Sequence, residues 1–550
     1  MLFPTVDFAI FFVIVFAGSW VLRPRPTVWR WFILIASCVF YVDIFNPAHN
    51  PGMEALEPLA VFGVFATLAA LAIRGVSTSE EPGGDSAAVA VVVQVSVAVA
   101  FVALNVAFHS MLEASSQQFF KFLLLLLGFA LVNQASARAV FASLGPGRAR
   151  TALSRLVVRC AVVFDLGVLG LFKYYDFVRD TVPDVFRGIL PVWSLALPLA
   201  ISFFTFQALS YLIDVGRGEI RPVALLDFCV YLTFFAHVVA GPIVRVREFV
   251  PQLSQDPDPR YVPASEAMLL IARGLFKKVV ISSYLATQIV DPVFASPTDY
   301  GRAPVLFAVL GYAIQIYADF SGYTDIAIGA ALLLGIRFPQ NFDAPYRAGS
   351  VQDFWRRWHM TLSRWLRDYL YIPLGGSRGT RWHTYLNLFL TMLIGGLWHG
   401  ARWTFVVWGA AWGAALVVER MVRAWWARSH EPRRATTLAA IGQWAVTFWF
   451  ACLAWVLFRA PSLGDALTVF AQLGTGSDSS AAQPVLTPLV VSVVVLSVAS
   501  QFVPPRVPLR VSEAVSRMAP ALQVLGFGAV LMLIDALGPE GIAPFIYFQF

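Results

Sequence analysis

Long stretches without a single charged residue constrain this chain more than any other feature. Ala87 to Phe108 and Val485 to Phe502 contain no Asp, Glu, Lys or Arg, and runs of that length match the thickness of a bilayer rather than the core of a soluble domain. In lipid every backbone N–H and C=O must be satisfied internally, so apolar runs of this length read as helices. Composition agrees: 58% hydrophobic residues, 13% charged residues and a mean hydropathy of +0.69 exceed what a soluble fold can hide. The expected fold class is an all-α polytopic membrane protein with eleven to fourteen membrane-embedded helices, forming one membrane domain over residues 1–550.

Candidate spans in the first half are Phe8–Leu22, Trp31–Val42, Pro58–Ile73, Ala87–Phe108, Phe119–Val132, Ala161–Phe172 and Ile189–Ile213. They continue with Phe228–Val244, Val305–Ile336, Leu386–Trp398, Trp403–Val418, Leu438–Phe458, Val485–Phe502 and Leu522–Ile534. Several are shorter than the roughly 20 residues an upright span needs, which predicts tilted or re-entrant segments. Arg23, Arg25 and Arg30 lie in the first short loop and Arg138, Arg148, Arg150 and Arg155 follow the fifth span, whereas Asn46–Glu57 has neither Lys nor Arg. That asymmetry places the N-terminus outside. The first apolar run has no basic leader and reads as a retained span, not a cleaved signal. The net charge of +7 suits loops facing anionic lipid and argues against nucleic-acid binding. Cys38, Cys160, Cys229 and Cys452 lie in or beside apolar segments without metal-like spacing and read as packing residues.

The loops Ser77–Ser86 and Gly474–Gln483 are too brief to separate independent domains. Residues 190–460 are the richest in polar signals. Ser202, Thr205, Gln207 and Ser210 interrupt the apolar run Leu197–Asp214, a pattern that commonly bonds neighbouring helices. Gly241-Pro242 breaks the run before Arg245 and Arg247, and a broken helix at membrane depth needs cover from protein or a wet cavity. Asp319 and Asp325 lie in a stretch apolar on both flanks. Helical spacing puts Tyr323 one turn from Asp319 and Ser321 one turn from Asp325, as either a structural network or a substrate contact.

Two histidines complete the set. His359 lies in Trp355-Arg-Arg-Trp-His-Met-Thr-Leu-Ser-Arg-Trp-Leu-Arg367, and His399 lies in Gly395-Gly-Leu-Trp-His-Gly-Ala401 between two apolar runs, with Arg402 the other ionisable group there. An ionisable side chain at such depth costs roughly 2.5 to 3.5 kcal/mol and points to a cavity or a task. Wound as one helix, residues 354–369 place Phe354, Trp358, Leu362, Trp365, Leu366 and Tyr369 on one side. Arg356, Arg357, Arg364, Arg367 and Asp368 fall on the other, with His359 at the edge. This predicts an interfacial amphipathic helix. Eight of the 17 tryptophans lie between Trp355 and Trp412, so the interfacial character extends through both histidine segments. A solvated or hydrogen-bonded His359 without a chemical role is the alternative. The seven histidines are scattered without carboxylates or cysteines at ligand spacing, so no metal is expected.

Leu197–Asp214, Val239-Ala-Gly-Pro-Ile243, Gly274-Leu-Phe-Lys-Lys278, Tyr317–Gly329, Asn341-Phe-Asp-Ala-Pro-Tyr346, Phe354–Ser363, Trp398-His-Gly400, Trp455-Val-Leu-Phe-Arg-Ala460 and Phe545–Phe550 together resemble the membrane-bound O-acyltransferases, in the branch of bacterial alginate O-acetylation. The resemblance is long and ordered; the Ala- and Val-rich residues 77–117 are its least typical part. It implies helices around a central tunnel, with His399 as the catalytic residue and His359 as a second essential position. Imidazole titrates near neutral pH, which suits His399 as general base towards an acceptor hydroxyl. His359 then orients the donor, polarises its carbonyl or relays a proton. Candidate substrate contacts are Asn341, Asp319, Trp398 and the basic residues Arg356, Arg357 and Arg367, whose charge suits donor phosphates. The implied donor is acetyl-CoA or another acyl thioester, with no tightly bound cofactor, and the acceptor is an exported cell-surface polysaccharide. Membrane lipids, a periplasmic or extracellular acetyltransferase partner and polysaccharide machinery are the expected partners, at the cell inner membrane. Transfer of D-alanine or another acyl group from a carrier protein, acylation of a lipid, and a transporter or channel are the alternatives.

Overall fold

The computed structural model describes residue 3 and residues 5–45, 114–183, 200–238, 241–255, 257–429, 436–476 and 485–539. The spans expected at 58–73 and 87–108, the loops at 46–57 and 77–86, most of the loop at 474–483, the start of the span at 189–213 and the C-terminal 545–550 motif lie outside the described residues. Within them the chain is helical, with no strand. Two compact units can be described within it: residues 1–239, 243–261 and 334–337 form the first, and residues 240–242, 262–333 and 338–550 the second.

The first unit contains α1 (Val6–Leu22), α2 (Pro26–Phe45), α3 (Ala114–Ala142), α4 (Ala152–Thr181), α5 (Ile201–Gly216), α6 (Leu225–Thr233) and α7 (Val246–Leu253). Thr5 and Thr151 accept hydrogen bonds from the amides of Phe8 and Ser154, starting α1 and α4 in the way short hydroxyl side chains favour. The apolar stretch at 161–172 understates its helix: α4 runs past it at both ends, because hydropathy registers the lipid-like centre and not the charged turns around it. Polar groups in α5 do reach other helices. Lys173 donates to Ser202 at 3.1 Å, and Gln207 lies 2.6 Å from the His237 ring, which in turn lies 2.9 Å from the Tyr231 carbonyl. After a one-turn helix at Phe235–Val238, Gly241 to Arg245 runs without helix and buried, so the Gly241-Pro242 break is covered by protein.

The second unit contains α8 (Ala264–Leu275), α9 (Arg302–Leu333), α10 (Val351–Arg357), α11 (Met360–Leu366), α12 (Arg381–His399), α13 (Trp403–Ser429) and α14 (Thr437–Arg459). It closes with α15 (Leu463–Thr475), α16 (Pro488–Ser500), α17 (Arg506–Ser516) and α18 (Pro520–Leu537). Among the described residues, helices at 125–142, 302–333, 403–428, 437–459 and 520–537 are long and apolar enough to cross a membrane. Sixty-seven per cent of the most apolar stretch of α9 is buried in protein, against 6% of that of α18. Helix α9 is thus the axis of its unit, and α18 offers its apolar surface outward, as a lipid-facing helix does.

Two helix crossings position the polar residues of the second unit. A Cβ on Gly274 would sit 2.5 Å from the Gly322 carbonyl, and one on Gly322 would sit 2.7 Å from that of Gly274. Helices α8 and α9 therefore meet backbone to backbone. At the second crossing a Cβ on Gly396 would lie 2.4 Å from the Phe405 carbonyl, and one on Gly409 would lie 2.6 Å from that of Met392, fixing α12 against α13. Small residues at such contacts are how helices approach closely in a membrane, where lipid supplies no hydrophobic drive between them.

Candidate active site

The stretch expected as one amphipathic helix at 354–369 is broken. Helix α10 ends at Arg357 and α11 starts at Met360, and between them His359 takes a left-handed backbone with φ 41° and ψ 56°. That conformation costs a non-glycine residue roughly 1–2 kcal/mol, and such strain collects where surrounding structure imposes it for a task. The imposing contacts come from the 341–343 segment. The Met360 amide donates to the Asn341 carbonyl and the Asp343 amide to the Arg357 carbonyl, each at 2.9 Å. Asn341 Oδ1 accepts from the Thr361 amide at 3.2 Å and the Thr361 hydroxyl at 2.9 Å, capping the first turn of α11. The two sides assigned from helical periodicity survive the break: Phe354, Trp358, Leu362, Trp365, Leu366 and Tyr369 are all buried. Position around a helix axis is kept over each short helix even though the axis turns at His359.

His359 is 0% exposed. Its ring meets Phe320 edge-on with centroids 4.7 Å apart and stacks on Phe342 at 6.4 Å. Among the described residues neither ring nitrogen has a hydrogen-bond partner, and neither does Asn341 Nδ2. Leaving a buried polar atom unsatisfied costs about 1–3 kcal/mol, so these three atoms around His359 keep hydrogen-bonding capacity to spare.

His399 is placed differently. Thr380 accepts from the His383 amide and starts α12; nineteen residues later the helix ends on His399, because Gly400 turns extended. The His399 ring is packed by Trp398 at 5.0 Å, Trp408 at 5.1 Å and Phe458 at 5.3 Å. Trp408 stacks on Trp455 at 5.7 Å, and Trp455 meets Trp358, the neighbour of His359, at 4.7 Å. Three indole rings therefore join the two histidines through one buried cluster. Trp455 and Phe458 stand within a sequence motif that assigns neither a role; their i, i+3 spacing on α14 is the signal that both face one side.

The two carboxylates of α9 find cations where hydroxyls were expected. Lys278 pairs with Asp319 at 2.5 Å, both side chains almost fully buried. Asp325 takes Arg273 through two bonds of 2.6 and 2.8 Å and Lys277 at 2.8 Å. Ser321, the expected partner of Asp325, has no hydrogen-bond partner among the described residues. The cations come from α8 and the π-helical turn Phe276–Ser282 that follows it. The close Gly274–Gly322 crossing carries them within reach. Three cations beside an apolar run, facing two carboxylates on another, was the legible sign of this pairing, and a reading within one helix misses it.

The basic residues separate by partner. Arg357 is held by Asp353 at 3.0 Å and Asp343 at 2.8 Å, and Arg367 by Asp368 at 2.6 Å. Arg356 is exposed and makes no side-chain bond among the described residues. Of the three arginines assigned to donor phosphates, Arg356 alone keeps an uncommitted guanidinium. Asp319 is likewise committed to Lys278, whereas Asn341 and Trp398 lie beside His359 and His399 respectively.

Residues 85–459 match the sequence profile of MBOAT, the membrane-bound O-acyltransferase family. The chain is 41% identical over 340 residues to a probable alginate O-acetylase, AlgI, of Azotobacter vinelandii, covering 61% of this chain and 66% of that protein. It is 39% identical over 386 residues to the probable alginate O-acetylase AlgI of Pseudomonas aeruginosa, covering 68% and 71%. It is also 40% identical over 347 residues to the peptidoglycan O-acetyltransferase of Helicobacter pylori, covering 58% and 64%. The chain thus spans slightly less than two thirds of the first and third of these relatives. With the profile matching most of the chain, and with helices built to cross a bilayer, the protein belongs to the membrane-bound O-acyltransferase family and is a multi-pass membrane O-acyltransferase.

Proposed function

We propose that the protein moves an acetyl group from acetyl-CoA, or a related acyl thioester, on the cytoplasmic side of the inner membrane to hydroxyls of an exported polysaccharide. The transfer runs directly or through a periplasmic or extracellular acetyltransferase partner. The observation that carries this reading is the pairing of His359, buried with both ring nitrogens unpartnered among the described residues, with His399 across one aromatic cluster. The names of the relatives, alginate O-acetylases and a peptidoglycan O-acetyltransferase, support a polysaccharide acceptor.

In this reading His399 takes the proton of the acceptor hydroxyl as its oxygen attacks the thioester carbonyl. A new C–O bond forms, the C–S bond breaks, and the departing thiolate collects the proton that His399 took from the hydroxyl, which returns the imidazole to its starting state. An imidazole suits this task because its ordinary pKa lies near working pH. A protonated His359 nitrogen donates to the carbonyl oxygen as charge grows there, with Asn341 Nδ2 a second donor on the same segment. Rigid, water-poor surroundings make such donors effective. The packing of both rings by indoles and phenylalanines supplies that rigidity.

The test is release of free CoA from radiolabelled acetyl-CoA by the purified full-length protein, with transfer of label to a polysaccharide or a partner protein. Label appearing in an acceptor with wild-type protein, and not with His399→Ala, is the expected result. Absence of CoA release with acetyl-CoA, together with turnover of an acyl-carrier-protein thioester, would overturn the donor assignment.

A further inference from the structure

We propose that Arg273 and Lys277 form an anion-accepting subsite that takes a phosphate of the acyl donor. The inference rests on the thioester chemistry proposed above. Asp325 carries one negative charge and meets two cations, so the triad keeps a net positive charge. Donors remain as well. Arg273 spends Nε and Nη2 on the carboxylate, and Lys277 spends one N–H of its ammonium. Arg273 Nη1 and the other ammonium protons keep their capacity to bind, and the Arg273 side chain is 49% exposed. The neighbouring pair on the same helix crossing shows the contrast. There Lys278 pairs with Asp319, and the side chains are only 1% and 3% exposed, so that pair is closed off from ligands.

The triad also lies at a useful reach. Lys277 Nζ sits 5.4 Å from the centre of the Tyr317 ring, Tyr317 meets Phe342 at 6.0 Å, and Phe342 stacks on His359 at 6.4 Å. An extended pantetheine arm, with its two amides and flanking methylenes, spans a path of that length between a thioester beside His359 and a phosphate at the triad. Arginine and lysine together suit a phosphate, the first by its fork of N–H groups and the second as a point charge. Crowding of Arg273, Lys277 and Lys278 beside apolar helix also places this end of the crossing on the cytoplasmic side, where the donor is.

Acetyl-CoA and acetyl-pantetheine carry the same thioester, and the second has no phosphate. In full-length protein, Arg273→Gln and Lys277→Gln are expected to raise KM for acetyl-CoA about tenfold or more, the size of losing a hydrogen bond to a charged group. The expected changes in kcat and in KM for acetyl-pantetheine are less than about twofold, because the phosphate lies away from the reacting carbon. Arg273→Lys keeps the charge and is expected to restore most of the acetyl-CoA affinity. Equal losses with both donors would mean that the triad is structural and would overturn the proposal. Unchanged donor KM in variants that lose a dependence on phosphatidic acid in nanodiscs would assign the phosphate to a lipid headgroup, overturning the donor assignment. If wild-type protein turns over neither thioester, the proposed function fails separately. Calorimetry with inorganic pyrophosphate then decides the subsite, binding lost in Arg273→Gln supporting it and binding unchanged or absent in wild type overturning it.

Discussion

The two histidine regions reach the same aromatic cluster by opposite means. His359 is aimed by a strained left-handed backbone between two short helices, tied down by Asn341 and by backbone bonds to the 341–343 segment. His399 needs no strain: it ends a nineteen-residue helix whose position is set by glycine contacts with α13. The lesson is that a side chain can be placed by local backbone constraint or by the packing of long rigid elements, and the two fail differently. Local constraint gives way residue by residue, whereas helix packing gives way when any close contact along it is filled.

The largest effect expected is at His399. His399→Ala should leave the protein in the membrane at near-normal abundance and lower acyl transfer by ~10²- to 10⁴-fold, the range for a lost general base. Retention of more than about a tenth of the activity would remove His399 from that role.

His359→Ala should also be severe, on the order of 10²-fold in kcat, as for loss of one donor to a developing oxyanion. His359→Asn separates ring from backbone, since asparagine tolerates the left-handed region. The expectation is wild-type thermal stability with the activity still lost. Activity within threefold of wild type in the Asn variant would show that the turn and not the imidazole is what matters there.

Gly396→Ala probes the packing route. The added methyl meets the Phe405 carbonyl at 2.4 Å, so α12 and α13 must part, at about 1–3 kcal/mol for overpacking. A lower melting temperature together with reduced kcat is expected, because the same shift moves His399. A variant that melts early and keeps full kcat per folded molecule would uncouple His399 from the crossing.

The smallest effect belongs to the exposed arginine. Arg356→Glu should raise KM for acetyl-CoA by less than about fivefold, as an exposed charge is worth only about 0.2–1 kcal/mol. The increase should shrink as salt is added. An increase larger than that of Lys277→Gln would transfer the phosphate site from the helix crossing to α10.

Much of the architecture could be read from the chain. Periodicity and hydropathy located the centres of α1, α9, α13, α14 and α18, since lipid-length apolar runs have one stable solution. The buried side of 354–369 was also legible, because every residue on it is apolar. Helices α7, α8 and α17 were not, because each mixes charges into its sequence and falls below the hydropathy of a span. The turn at His359 left no local mark: neither Gly nor Pro stands between Arg357 and Met360, and the strain comes from contacts with residues some twenty positions away.

By itself, then, the sequence determined that the chain is a helical membrane protein, which residues can titrate, and that His359 and His399 stand in the polar segments of an otherwise apolar chain. Those follow from transfer energies and side-chain chemistry, which belong to each residue wherever it lies. Tertiary structure alone decided the partners. It gave Asp319 and Asp325 to the cations of α8 and its following turn, closed Arg357 and Arg367 into ion pairs, and joined the two histidines through Trp408, Trp455 and Trp358. Such contacts depend on where helices cross, and the crossings are set by a few glycines whose value appears only when a second backbone lies against them.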